Sequence, residues 1–133
     1  MSSDPAKPSQ TPAGQLHAAQ WLLVQCLAKL IDYACQRGYE LTLGEGYVQS
    51  PRKSRPSGAF VEDGVHMPSS LHYTKLAQDL NLFVRGEYIT DSTHFAYVDL
   101  GGFWEALDSA CRWGGRFKGG DSNHFSITFG GKA

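Results

Sequence analysis

The 133 residues, 41% hydrophobic and 19% charged, amount to about one domain, long enough to bury a core of respectable size. Twelve Lys+Arg against thirteen Asp+Glu leave a net charge of −1, which argues against a whole-chain electrostatic grip on nucleic acid or an anionic membrane. The longest apolar stretch is broken by Gln20, Gln25, Lys29 and Asp32, so it reads as no membrane span or anchor, and the first fifteen residues lack the basic and apolar regions of a secretory signal.

Residues 1–14 hold three prolines plus Ser, Thr and Gln and read as a disordered tail, which leaves 15–133 as the folded domain. Leu16, Ala19, Leu23, Leu27, Leu30 and Ala34 recur at steps of three and four, the stripe of an amphipathic helix, and Gly38 stands where its C-cap belongs. From Tyr39 to Gly44 alternation predicts a half-buried strand, with Leu41 and Leu43 inward and Glu40 and Thr42 outward. Residues 48–71 form a long irregular region of the kind that is usually functional or mobile. "AQDLNLFV" resumes strand character, and "GEYIT" after Gly86 reads as its hairpin partner. Asp91, Ser92 and Thr93 are candidate caps for a second helical pattern running through Phe103, Ala106, Leu107 and Ala110 to Trp113. "HFSITF" closes the chain as a strand. The order predicts an α+β fold, a small antiparallel sheet packed against helices.

Three cysteines, Cys26, Cys35 and Cys111, show no CxxC spacing and read as reduced thiols of a protein made in the cytosol. A Cys26–Cys35 bridge would have to span more than two turns of one helix, which is too far.

The chemistry-bearing residues fall in two segments, "SSLHYTKLAQDL" with His72 and Asp79, and "WGGRFKGGDSNHF" with Asp121 and His124. Three ligands drawn from His and Asp, plus one carboxylate to take a proton from water, are the minimum kit of a catalytic zinc site. By spacing alone the same four residues also fit plain roles as loop histidines and turn carboxylates.

The ordered pair Ser70-x-His72-x-x-x-x-Ala77-x-Asp79 and Asp121-x-x-His124-Phe125, with Trp113-Gly114-Gly115 ahead of the second, resembles the D-alanyl-D-alanine carboxypeptidase family of zinc peptidases. The resemblance runs from about Tyr39 to Phe125 and implies the Hedgehog/DD-peptidase fold. It further implies Zn2+ held by His72, Asp79 and His124, with Asp121 as the catalytic carboxylate. The implied substrate is a peptidoglycan stem peptide, cut at an L-Ala–D-Glu or D-Ala–D-Ala type bond. Small size and the absence of a signal look most like a phage or prophage endolysin acting in host cell lysis. Such a protein is made in the host cytoplasm and reaches the wall with the help of a holin, and a monomer is the default for an enzyme that must diffuse there. The alternative is a non-catalytic wall-binding or virion-associated module on the same fold.

The sequence departs from that family at two places. Lys75 stands where a small residue, often Gly, is usual. Val48 stands where an Arg often binds the substrate carboxylate, so Arg52 or Arg55 from the long loop, together with Ser70, become the candidate substrate contacts, with solvated loop charges as the plain alternative. Of the remaining residues, His66 and His94 could line a cleft or be ordinary loop histidines, and Glu45 could stand behind the ligands or be a plain turn carboxylate. Trp104 and Trp113 read as core, with a place flanking the cleft as the alternative for Trp113, and Cys111 as a packed thiol. "GGRFKGG" lacks the strand–loop–helix context of a phosphate loop, and "RKSR" is a weak signal for nucleic acid.

Overall fold

A computed structural model describes residues 11–47 and 71–133. The expected tail up to residue 10 and the loop 48–70, with Arg52, Arg55, His66 and Ser70, lie outside the described residues. Helix α1 (Pro12–Arg37) starts three residues before the expected Gln15, because the Thr11 hydroxyl accepts from the Gly14 N–H and Pro12 sits where a helix lacks a bonded N–H anyway. Leu23, Cys26, Leu30 and Ala34 form its buried stripe, and Gly38 caps it at φ 78.

Strand β1 (Glu40–Leu43) pairs antiparallel with β2 (Ala77–Val84), which turns through Arg85-Gly86 into β3 (Glu87–Ile89). Both turn residues have positive φ, the left-handed pair that a two-residue hairpin requires. The inward alternation expected of β1 holds only in part. Tyr39 is buried and Leu41 half-buried, but Leu43 is 74% exposed at the end of an edge strand. Helix α2 (Phe95–Leu107) is capped by His94, whose Nδ1 accepts from Ala96 N–H, while Asp91 instead accepts from the Thr93 N–H and hydroxyl in a turn of its own. The helical pattern expected to run on to Trp113 stops at Leu107. Asp108 Oδ1 accepts from Ala110 N–H, and Cys111–Trp113 becomes β4, paired with β5 (His124–Ile127).

The result is an α+β fold of two helices and one antiparallel sheet in the order β1-β2-β5-β4, with β3 on β2 beyond the end of β5. Leu80, Leu82, Phe125 and Ile127 of the sheet meet the α1 stripe and Ala96, Tyr97, Leu100 and Trp104 of α2 in one core. The buried Trp104 Nε1–H is shared between the carbonyls of Arg112 and Ser126, at 3.0 and 3.2 Å. On α2, the Asp99 carboxylate accepts from Tyr33, Tyr39 and Arg37 at 2.6, 2.6 and 3.0 Å, tying α2 to the end of α1 and the residue that leads into β1.

Candidate metal centre

Register builds the site. Asp79 of β2 lies directly across from His124 of β5, and residues opposite each other in an antiparallel pair point to the same face. Side chains alternate along a strand, so with Phe125 and Ile127 in the helix-covered core, His124 and Ser126 face the other way. All four β5 residues are buried.

His72 reaches the same place from a 3₁₀ turn, Leu71–Thr74, just ahead of β2. The turn is fixed from below by a small second core in which Leu71, Leu76 and Ala77 pack against Leu16, Ala19 and Phe129. Gln20 Nε2 of α1 donates to Thr74 O at 2.9 Å, and Leu76 N–H returns to Leu71 O at 3.0 Å. Lys75 takes φ 62, a left-handed conformation that glycine reaches freely and that costs a lysine of order 1 kcal/mol. The departure at this position therefore leaves a backbone that glycine would also adopt. The Lys75 ammonium lies 5.2 Å over the Tyr47 ring.

The His72 ring is buried, with Nδ1 2.8 Å from Gly46 O and Nε2 3.2 Å from Asp79 Oδ1. A carbonyl only accepts, so Nδ1 carries the proton and a neutral ring turns the Nε2 lone pair toward the carboxylate. His124 Nδ1 stands 3.7 Å from the same Asp79 oxygen and 3.8 Å from Asp121 Oδ2, and the two imidazoles meet edge to face with centroids 5.3 Å apart. Asp79 Oδ1 and His124 Nε2 are buried with no hydrogen-bond partner. Burial opposes the charge on Asp79, but the His124 and His72 rings outweigh it and hold its carboxyl below the ordinary value. His72 is likewise disfavoured as a cation by burial, yet Asp79 and the Gly46 carbonyl raise it above the ordinary histidine value.

One ligand atom from each of His72, Asp79 and His124 can be chosen so that all lie within 4.8 Å of one another, close enough to hold a metal ion. A tetrahedral site with bonds of 2.0–2.2 Å needs ligand atoms about 3.3–3.6 Å apart, and the two contacts to Asp79, at 3.2 and 3.7 Å, bracket that spacing. A buried carboxylate oxygen without a hydrogen bond, set between two imidazole nitrogens, is what a cation satisfies, so the donor set fits such a group. Asp121 stands beside it with its side chain 56% exposed, open to solvent in a way the three buried or half-buried groups are not.

Backbone groups hold this arrangement. Gly44 N–H donates to Asp79 O at 2.8 Å and Asp79 N–H to Glu45 O at 2.7 Å, which brings Gly46 over the site. A Cβ on Gly46 would come 2.6 Å from Gln78 Oε1, whose amide is anchored on Gly44 O and Asp79 O. Gly114 accepts from Asp121 N–H at 2.8 Å, and a Cβ there would come 2.3 Å from Asp121 O and 2.7 Å from His124 Cβ. Glycine in the "WGG" segment is thus what lets the Asp121–His124 turn close. Sequence reasoning found the four side chains but not Gly46, Gln78 or the pairing of 44–45 with Asp79, since a carbonyl that orients an imidazole leaves no residue-type signal.

Trp113 is buried, its Nε1–H donating to Ser122 O at 2.7 Å, and so supports the turn from behind. A groove of about 540 Å³ adjoins Asp121 on the side of Tyr88, Thr90, Ser92 and Asn123. Ser70, Arg52 and Arg55 fall outside the described residues and are not placed in the site. His17 is exposed on α1, and His94 serves as the α2 cap and not as a cleft residue. Among the described residues no helix is long and apolar enough to cross a membrane. The chain matches no family model and no curated protein.

Proposed function

We propose that the chain is a zinc-dependent peptidase of the Hedgehog/DD-peptidase fold, cutting peptidoglycan stem peptides in the manner of a phage or prophage endolysin. The observation that carries this reading is the convergence of His72, Asp79 and His124, from separate segments, on one buried point with a fourth, accessible carboxylate beside it. His72 would hold zinc through Nε2, oriented by the Gly46 carbonyl, and His124 through Nδ1, with the Asp79 carboxylate between them. Bound zinc supplies Lewis acidity, which polarises a scissile carbonyl and acidifies water.

The remaining work falls to the protein. Asp121 would accept a proton from the attacking water and deliver it to the leaving amine nitrogen. Its exposure lets it reach both, and the adjoining groove gives the leaving side of a peptide somewhere to lie. The Phe117 ring packs beside that ligand, its centroid 5.4 Å from the His124 ring. A purely structural metal or a wall-binding module needs no fourth carboxylate in this place. Arg52, Arg55 and Ser70 enter the proposal only as substrate contacts supplied by the resemblance, as do holin-assisted release and action at the wall.

The test is Asp121→Asn. It should retain its zinc and fold as stably as the parent while losing on the order of 100-fold or more in release of stem-peptide fragments from purified peptidoglycan, followed by mass analysis. Equal release by parent and variant would remove Asp121 from the chemistry, and the absence of release by the parent would favour the binding module.

A further inference from the structure

Away from the metal centre, α1 and β4 bring two thiols together in the core. Cys26 lies on the buried stripe of α1 and Cys111 opens β4. Both are buried, and their Sγ atoms are 3.7 Å apart although 85 residues separate them in sequence. The third thiol, Cys35, is exposed. A disulfide has an S–S distance of about 2.05 Å, so the gap closes if each sulfur moves by less than about 1 Å, within reach of small χ1 rotations.

We propose that Cys26 and Cys111 are a latent cross-link, reduced where the chain is made and closed into a disulfide joining α1 to β4 once the protein meets an oxidising compartment. The reaction is thiol–disulfide exchange with a small-molecule disulfide such as oxidised glutathione. One protein thiolate attacks it and releases one glutathione thiol. The second protein thiolate then attacks the mixed disulfide and releases the other. The protein gives up two electrons and two protons, and oxidised glutathione takes them up as two thiols. Burial raises both cysteines above the usual thiol value, so thiolate is scarce near neutral pH, and exchange awaits a local opening between α1 and β4. A bond closing so long a loop lies toward the upper end of disulfide stabilisation, equivalent to a rise in Tm of roughly 15 °C in a domain of this size. The inference stands on this pair alone, whether or not the chain is a peptidase.

The experiment uses the full chain carrying Cys35→Ser. It is unfolded and refolded in glutathione buffers of reducing or oxidising poise, so that access to the core imposes no limit. Free thiols are then alkylated under denaturing conditions, and the protein is weighed intact and after digestion. From the oxidising buffer we expect a mass lower by two hydrogens, no alkylation, and a peptide containing Cys26 joined to one containing Cys111. The Tm should stand roughly 15 °C above that of the reduced sample. Adding Cys26→Ala should leave Cys111 alkylated or glutathionylated and abolish the rise in Tm in the oxidising buffer. Alkylation of both thiols after the oxidising buffer, or a bridge that lowers Tm, would overturn the proposal.

Discussion

Gly114→Ala probes whether the close approach behind the site is what sets it. The added Cβ would sit 2.3 Å from Asp121 O and 2.7 Å from His124 Cβ. Ordinary contact begins near 3.4 Å, so the Asp121–His124 turn must retreat by about 1 Å, and the obstacle is backbone that cannot swing aside. The retreat strains the hydrogen bond from Asp121 N–H to Gly114 O, now 2.8 Å. Overpacking costs about 1–3 kcal/mol and a weakened hydrogen bond about 1 more, so a loss of about 2–4 kcal/mol is expected. The same shift carries His124 Nδ1 away from Asp79 Oδ1, already 3.7 Å distant, beyond the spacing a tetrahedral ion tolerates. Zinc affinity should therefore fall by roughly 10–100-fold, the usual penalty for disturbing the support of a ligand.

The control is Gly102→Ala, within α2, where an added Cβ meets nothing within 4 Å. Helix propensity predicts a gain of about 0.5–1 kcal/mol there and no change in zinc binding. The assays are urea unfolding of metal-free protein with linear extrapolation, and zinc titration against a chromophoric chelator. A Gly114→Ala protein within about 0.5 kcal/mol of the parent and unchanged in zinc affinity would refute the packing argument.

Two more outcomes follow from the same geometry. Lys75→Gly relieves a left-handed lysine at φ 62 and should raise stability by about 0.5–1 kcal/mol with zinc affinity unchanged, whereas Lys75→Val should lower it by a similar amount or more, both read by urea unfolding. Asp99 is opposed by burial, but Tyr33, Tyr39 and Arg37 outweigh it and hold its carboxyl below the ordinary value. Such a group stabilises the fold above its unfolded value near 3.9, and that contribution is lost as pH falls through the folded value. Asp99→Asn should thus lower Tm near neutrality and flatten its fall between about pH 5 and pH 3. An acid limb as steep as the parent's would show that the Asp99 cluster is not linked to stability.

Strands β2 and β5 were readable because each carries a strand-like run of apolar residues beside a motif, and the register between them then places Asp79 against His124 without further assumption. Strand β4 was not. Its three residues continue a helical pattern, and what makes them a strand is the edge of β5, a partner no local window contains. The exposure of Leu43 has the same origin, since alternation says which way a side chain points but not whether anything lies there. For His94 the sequence left a cleft position and an ordinary loop histidine open, and its part as the cap of α2 shows only in space. At the site, the side chains announced themselves through residue type and spacing. Their supports, the Gly46 carbonyl and the close approach at Gly114, work through backbone atoms and become visible only in three dimensions.

Elemental analysis of protein purified without chelator, run beside His72→Ala and His124→Ala, meets the central claim directly. Three converging ligands predict about one zinc per chain in the parent and a clear loss in both variants, each with its fold intact by circular dichroism. A parent without metal, or zinc that survives both substitutions, would contradict the metal centre and the peptidase reading built on it.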